Sequence, residues 1–280
     1  MNVFKKISEA THYLENQKKA GKTIGFVPTM GALHDGHLEL MRRAKSENDI
    51  LTVSIFVNPI QFNNPDDLKK YPRDIEKDSK LLESVGCDIL FVPDVNEMYP
   101  EEVNKTYDFG LLENVMEGAF RSGHFNGVAV VVKKLFEIIL PDRAYFGEKD
   151  FQQLAIIQKL VEIENLPVKI VPCPIVRESD GLAMSSRNER LTKAERNLAP
   201  FIYKMLKSVK EKTSSMTVDE VKLMVENMFR DQPEFTLEYF EIAESINLQP
   251  VGSWSKTQGI VAFIAAFLGN VRLIDNIRII

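Results

Sequence analysis

Residues 24–37 have the sequence IGFVPTMGALHDGH, which is the strongest indication of the fold in this chain. An apolar run at residues 24–27 is followed by a turn that contains glycine and then by a helical pattern, in which Leu38, Met41 and Ala44 share one face. A helix that starts directly after a strand presents free backbone N–H groups and the positive end of its dipole to a ligand. The stretch therefore predicts the first strand and helix of an α/β fold, with an anion site at the turn between them.

The same alternation of short apolar runs and helical patterns continues along the chain. The strand-like runs cover residues 51–57, 89–92, 144–146 and 168–171, and the helical patterns cover residues 37–46, 66–85 and 128–140. This order predicts a Rossmann-like parallel sheet with helices on both faces.

After about residue 179 the pattern changes. A polar loop precedes charged helical segments at residues 192–211 and 218–229, and strand-like runs follow at residues 237–242, 260–268 and 271–274. We therefore expect a domain over residues 1–178 and a smaller C-terminal α+β domain over residues 179–280.

Composition excludes several classes of protein. The chain has 280 residues, with 35 Lys and Arg against 40 Asp and Glu, and the net charge of −5 argues against nucleic acid as the main partner. The N-terminal stretch has no apolar core of signal-peptide length, and the longest apolar run, residues 260–268, is much shorter than the ~20 residues that span a bilayer. Cys87 and Cys173 form no CxxC motif and are expected to be reduced and simply packed. We expect a cytoplasmic protein without a membrane partner.

Two histidines mark the turn after the first strand. His34 and His37 are three residues apart, so in the first turn of a helix both side chains lie on one side and can donate to one phosphate. The phosphate motifs GxGxxG and GxxxxGK[ST] are absent from this turn. Alternatively, one of the two histidines caps the helix and the other is an ordinary surface residue. Zinc is less favoured because no third ligand follows at a usual spacing.

Polar residues also follow the next strands. Asn58 and Gln61 place two carboxamides after the second strand, where they suit a polar, uncharged part of a substrate, although Asn-Pro is also an ordinary turn. Lys149 follows a later strand with a mobile positive charge, and Gln153 can reach a substrate from the first turn of a helix. Asp150 could simply cap that helix.

Two loops add further cationic groups. Ser185, Ser186 and Arg187 lie near the expected domain junction, in a flexible loop that can close over a triphosphate or serve only as a linker. Arg121 lies in a similar loop, RSGHF.

Several of these stretches resemble a known family. HDGH with the preceding PTMG resembles the HIGH-type signature of adenylate-forming nucleotidyltransferases and class I aminoacyl-tRNA synthetases, and MSSRN resembles their KMSKS-type loop. The ordered set PTMGALHDGH, FVNPIQF, YPRD, RSGHFNGV, FGEKDFQQL and DGLAMSSRN, between residues 28 and 188, resembles the pantothenate synthetases. The final stretch AAFLGNVRLIDNI resembles that family as well.

The resemblance implies a reaction in two steps. ATP and (R)-pantoate form pantoyl adenylate and diphosphate, and β-alanine then attacks the acyl carbon to give pantothenate and AMP. It also implies Mg²⁺, a homodimer, a nucleotide- and pantoate-binding catalytic domain, and a C-terminal domain that closes over the site. No motif fixes a magnesium ligand, and Asp78 is one candidate.

The resemblance also assigns roles to residues, with His37 as proton donor. The residues expected to stabilise developing phosphate charge are His34, His37, Lys149, Ser185, Ser186 and Arg187. The ATP-binding residues implied are Met30, Gly31, Ala32, Leu33, His34, Asp35, Gly36, His37, Gly147, Glu148, Lys149, Asp150, Val176, Met184, Ser185, Ser186 and Arg187. The substrate residues implied are Gln61 and Gln153, to which we add Asn58 and Arg121. Arg187 stands where a KMSKS motif has lysine, which keeps the charge and changes its reach.

Two other functions fit the loops. A nucleotidyltransferase of the same fold would leave the nucleotide on its product, whereas a ligase releases AMP and consumes an amine. A nucleotide-binding regulator would have no turnover. An aminoacyl-tRNA synthetase is disfavoured by the charge and by the lack of length for a tRNA-binding module.

Overall fold

The computed structural model describes residues 1–63, 65–254 and 259–280 and divides into two compact units. The first comprises Met1–Phe109, Phe120–Glu148 and Gln153–Pro174. The second comprises Gly110–Ala119, Lys149–Gln152 and Ile175–Ile280. Two short segments from within residues 1–178, together with residues 175–178, thus belong to the second unit.

The first unit contains a six-stranded sheet in the order β1-β4-β3-β2-β5-β6, and every pair of neighbours is parallel. The strands are β1 (Asn2–Phe4), β2 (Ile24–Thr29), β3 (Ile50–Ile55), β4 (Ile89–Phe91), β5 (Arg143–Gly147) and β6 (Lys169–Cys173). From β2 the chain adds β3 and β4 on one side and later β5 and β6 on the other, so the switch point lies between β2 and β5. The predicted Rossmann-like parallel sheet is confirmed.

Helices alternate with these strands along the chain. In chain order they are α1 (Ile7–Lys19), α2 (Asp35–Glu47), α3 (Pro65–Lys70), α4 (Ile75–Ser84), α5 (Val95–Met98), α6 (Met116–Phe120), α7 (His124–Ile139) and α8 (Phe151–Glu164). The single helix predicted over residues 66–85 is wrong, because the chain leaves α3 at Tyr71-Pro72 and Asp74 caps α4 by accepting from the Lys77 N–H. α7 is buried along nearly its whole length, as its apolar sequence predicts.

The core of the first unit lies where the helices cover the central strands. Phe26 on β2 packs edge-on against Phe136 of α7, with ring centroids 6.3 Å apart. Both cysteines are buried and free, which agrees with simple packing, and burial raises the pKa of the Cys87 thiol to about 12.

The second unit has a three-stranded antiparallel sheet, β7 (Phe235–Glu244), β8 (Ile260–Leu268) and β9 (Val271–Arg278), in the order β7-β8-β9. Its longer helices are α10 (Phe201–Lys212) and α11 (Val218–Arg230), and the short α9 (Lys193–Leu198) precedes them. Pro200 divides the helical segment that was predicted over residues 192–211. The apolar run at residues 260–268 is the buried central strand, and the predicted α+β character is confirmed.

Among the described residues, no helix is both long enough and apolar enough to cross a membrane.

Candidate active site

The loop after β2 is held in a conformation that requires glycine. Gly31 has φ 80°, and Ala32 follows it with φ 52°. A Cβ on Gly31 would lie 2.9 Å from Asp78 Oδ2 and 3.1 Å from Ile55 Cγ2. Thr29 Oγ1 accepts the Gly31 N–H at 3.2 Å and donates to the Ser54 carbonyl at 2.8 Å, which fixes the loop to β3.

Asp78 of α4 provides the second attachment of this loop. Its Oδ2 accepts the Ala32 N–H at 2.9 Å and its Oδ1 accepts the Leu33 N–H at 2.8 Å. The side chain is 1% exposed, and burial raises the pKa of the Asp78 carboxyl against the opposing effect of the two N–H groups. Asp78 therefore acts as an internal hydrogen-bond acceptor that shapes the loop, and the N–H groups of Ala32 and Leu33 face Asp78 rather than a ligand.

His34 and His37 lie together at the start of α2. His34 is the N-cap, its N–H donates to His37 Nδ1 at 3.4 Å, and the ring centroids are 4.0 Å apart. The prediction that both rings lie on one side of the first turn is confirmed. Because Nδ1 accepts, a neutral His37 carries its ring proton on Nε2.

Within residues 1–63, 65–254 and 259–280, no three or more His, Cys, Asp or Glu side chains are grouped so that they could hold a metal ion.

Gln61 ends a short 3-10 helix, Pro59–Gln61, that follows β3. Its Nε2 lies 3.2 Å from Met30 Sδ, so Gln61 meets the loop after β2. Its backbone carbonyl lies 2.8 Å from His124 Nδ1 of α7. Asn58 occupies the N-cap position of the same 3-10 helix without a side-chain cap hydrogen bond. It is 1% exposed, and its amide hydrogen-bonds elsewhere within the protein.

The remaining predicted residues of the first unit lie near strand and helix ends. Gly147 ends β5 and Glu148 follows it, and since β5 pairs in parallel with β2, their carboxyl ends meet at one edge of the sheet. Gln153 is half-buried in the first turn of α8, and Arg121 is half-buried shortly before α7.

The second unit holds Lys149, Asp150, Val176 and Met184–Arg187. Lys149 Nζ lies 3.7 Å from Asp150 Oδ2, and the Lys149 side chain is 18% exposed. Ser185 caps a 3-10 helix, Ser186–Arg190, by accepting the Arg187 N–H at 3.3 Å. The Met184 N–H donates to the Val176 carbonyl at 3.0 Å, which closes a turn between these two predicted residues.

Two neighbours on β9, missed from the sequence, support these segments. Asp275 accepts a bidentate pair of hydrogen bonds from Arg177 at 2.7 and 3.0 Å, which anchors the turn that carries Met184. Asn276 donates from Nδ2 to the Lys149 carbonyl at 3.0 Å. Burial raises the pKa of Asp275, and Arg177 opposes that rise. The signal that the sequence offers for them is the polar pair Asp-Asn within the final apolar stretch.

Comparison with known proteins gives one consistent result. A family model described as pantoate-beta-alanine ligase matches residues 2–278. Pantothenate synthetase from Christiangramia forsetii is 51% identical over 100% of this chain and 99% of its own, and that from Bacteroides thetaiotaomicron is 50% identical over 99% of each.

Two solved structures with high TM-scores support this result. The pantothenate synthetase of Thermus thermophilus superposes with a TM-score of 0.93 at 41% identity and covers 100% of this chain and 99% of its own. The pantoate-beta-alanine ligase of Francisella tularensis, described as complexed with beta-gamma ATP and beta-alanine, gives a TM-score of 0.83 at 37% identity, over 99% and 97% of the two chains. This chain belongs to the pantoate-beta-alanine ligase family.

Proposed function

We propose that this protein joins (R)-pantoate to β-alanine at the expense of ATP. In the first step a pantoate carboxylate oxygen attacks the α-phosphorus of ATP, and the bond to the diphosphate leaving group breaks. In the second the neutral amine of β-alanine attacks the acyl carbon, the bond to AMP breaks, and the amine loses a proton to give pantothenate. The paired rings of His34 and His37, at a helix start beside the switch point of the sheet, carry this proposal.

Negative charge develops on the phosphate groups as diphosphate leaves, and donors that are already in place stabilise it. We assign this role to His34, His37, Lys149, Ser185, Ser186 and Arg187, with the Nε2–H of His37 as the proton donor of a hydrogen bond to the leaving diphosphate. The ATP-binding stretches are residues 30–37, 147–150 and 184–187, together with Val176. Asp78 supports the first stretch, and Asn276 and Asp275 support the others through their hydrogen bonds.

We assign pantoate to Gln61 and Gln153, whose half-buried carboxamides suit its hydroxyl and carboxylate oxygens. β-Alanine reaches the acyl carbon near Gln61. We assign Asn58 to the support of Gln61 and not to substrate binding, because its amide already hydrogen-bonds to Gln61 and to the Gly127 carbonyl. Arg121 is retained as a candidate positive charge for the substrate.

This proposal includes Mg²⁺ bound to the nucleotide. The described part of the chain offers no group of three His, Cys, Asp or Glu side chains for a metal. In this proposal Mg²⁺ would be held mainly by phosphate oxygens of the nucleotide. Bound there, it would neutralise phosphate charge as a Lewis acid.

We further propose that the protein is a cytoplasmic homodimer. Light scattering on the purified chain tests the dimer directly, since a mass close to that of one chain would contradict it.

The reaction is tested by measuring diphosphate and AMP release from ATP and Mg²⁺ with pantoate alone and then with β-alanine. We expect diphosphate release that depends on pantoate, and AMP with amide product only after β-alanine is added. A protein that releases no diphosphate with pantoate, with or without the amine, would not have the proposed activity.

A further inference from the structure

A chain of hydrogen bonds leads from Tyr99 to Gln61 through Asn58. The Tyr99 hydroxyl donates to Asn58 Oδ1 at 2.9 Å, and Asn58 Nδ2 donates to Gln61 Oε1 at 3.0 Å. Asn58 Nδ2 also donates to the Gly127 carbonyl at 3.0 Å. These residues come from three different parts of the first unit: the chain after β3, the end of α5, and α7.

The Gly127 carbonyl fixes the orientation of the Asn58 amide. A backbone carbonyl can only accept, so the nitrogen of the Asn58 amide must face it and the oxygen must face away. The oxygen is then directed at Tyr99, whose hydroxyl can donate to it. Burial raises the pKa of Tyr99, so this hydroxyl keeps its proton at neutral pH.

The orientation of Asn58 in turn fixes that of Gln61. The second hydrogen on Asn58 Nδ2 needs an acceptor, so Gln61 turns its Oε1 towards Asn58. Its Nε2 then faces the loop after β2 at Met30 Sδ. Gln61 therefore offers N–H donors, and not its carbonyl oxygen, in that direction.

We propose that Tyr99 is a positioning residue that, through Asn58, holds Gln61 as a hydrogen-bond donor to an oxygen of pantoate. The inference rests on the proposed function, which places pantoate at Gln61. Tyr99 itself does not touch the substrate in this proposal.

Tyr99→Phe tests the relay, because it removes only the hydroxyl. The ring keeps its edge-on contact with Phe56, at 6.0 Å between centroids, and its place beside Lys134 Nζ, 5.6 Å away. We expect KM for pantoate to rise about 3- to 10-fold, the effect of one lost neutral hydrogen bond. KM for ATP should stay within twofold.

Tyr145→Phe is the matched control. Tyr145 is fully buried in the same unit, and its hydroxyl hydrogen-bonds to Asn48 and Glu47 instead of Asn58. It loses a hydroxyl of the same kind, so we expect KM for pantoate to be unchanged.

A double-mutant cycle distinguishes an effect of Tyr99 through Gln61 from a general loss of rigidity in the protein. In a Gln61→Ala background, Tyr99→Phe should no longer change KM for pantoate, because no amide remains to be oriented. Gln61→Glu should weaken pantoate at least as much as Gln61→Ala, since a carboxylate has no proton to donate.

The outcomes distinguish this proposal from the proposed function. If the wild-type protein releases diphosphate with pantoate but Tyr99→Phe leaves KM for pantoate unchanged, the relay alone is overturned. It is also overturned if the effect persists in the Gln61→Ala background or if Gln61→Glu binds pantoate normally. A wild-type protein that releases no diphosphate with pantoate overturns both.

Discussion

Burial raises the pKa of Asp78, and this gives its contribution to stability a defined dependence on pH. The folded-state pKa lies above the ordinary value of 3.8, so the folded protein holds this proton more tightly than the unfolded chain does. Its contribution to the free energy of unfolding is therefore fully present below the unfolded pKa and is lost as pH rises through the folded pKa. Asp78→Asn removes this titration.

We expect the stability advantage of the wild-type protein over Asp78→Asn to shrink as pH rises. Urea unfolding of both proteins between about pH 3 and about pH 7 measures it. Asp180→Asn is a control in which the pH dependence has the opposite sign. The hydrogen bond from Arg196 lowers the pKa of Asp180, so the contribution of Asp180 to the free energy of unfolding is lost as pH falls. Parallel pH profiles for wild type and Asp78→Asn would contradict the assignment.

His37 is expected to act in the first chemical step. His37→Ala would remove the donor that we propose for the leaving diphosphate, so single-turnover formation of the adenylate should slow by ~10² or more. His12→Ala is the matched control, since His12 is exposed on α1, where Asn16 lies beside its ring. An unchanged single-turnover rate in His37→Ala would remove His37 from the reaction.

The sequence predicts which side chains lie together when they are close in the chain, and it misses pairs that hydrogen-bond across the fold. His34 and His37 are three apart in one helical turn, so their proximity follows from helix geometry. Tyr99 lies 41 residues from Asn58, and Asn276 lies 127 residues from Lys149. No periodicity in one sequence reports such pairs, because they depend on how separate elements pack.

The packing of α7 against the 3-10 helix at Pro59–Gln61 depends on Gly127. A Cβ at this position would lie 2.6 Å from the Ile60 carbonyl oxygen and 2.8 Å from Gln61 Cα, both of them backbone atoms. Gly127→Ala should displace Gln61, raise KM for pantoate, and cost about 1–3 kcal/mol of stability through overpacking.

Kinetics and thermal unfolding of Gly127→Ala check both effects. Gly252→Ala is the control, because a Cβ there meets nothing within 4 Å and the variant should be neutral or slightly more stable. If Gly127→Ala were as stable and as active as Gly252→Ala, α7 would not position Gln61.

Elements with strong apolar runs were predicted well, and short or interrupted ones were not. The run at residues 260–268 coincides with β8, whereas β1 has only three residues and α1 buries only Ala10 and Leu14. Pro200 separates α9 from α10 although the helical pattern continues on both sides. The secondary-structure propensity of the sequence is too weak to predict an element in which so few side chains are buried.

Segments far apart in the sequence build the second unit. Gln152 accepts the Glu117 N–H at 3.0 Å and donates to the Leu112 and Val115 carbonyls at 2.6 and 2.8 Å. Phe151 packs edge-on against Phe263, with centroids 5.4 Å apart. A change of sequence pattern near residue 179 cannot reveal these two early segments, since their membership depends on contacts with residues that come much later.

Arg272 ties the early segment at residues 110–119 to the C-terminal sheet. Its guanidinium hydrogen-bonds both oxygens of Glu117, at 2.6 and 2.9 Å, and also Glu238. The Tyr239 hydroxyl adds a hydrogen bond to Glu117 at 2.9 Å. Arg272→Met would leave two largely buried carboxylates without their shared cation, which typically costs about 3–5 kcal/mol.

We expect Arg272→Met to lower the free energy of unfolding by that amount and to speed hydrogen exchange at residues 110–119 before it affects β2 and β3. Adding Glu117→Gln should recover part of the loss, because one of the two carboxylates is then neutral. Arg42→Met, which breaks an exposed pair with Glu39, should change stability by less than ~1 kcal/mol. If Arg272→Met were no more harmful than Arg42→Met, residues 110–119 would be held by Gln152 and apolar packing, and not by this ion pair.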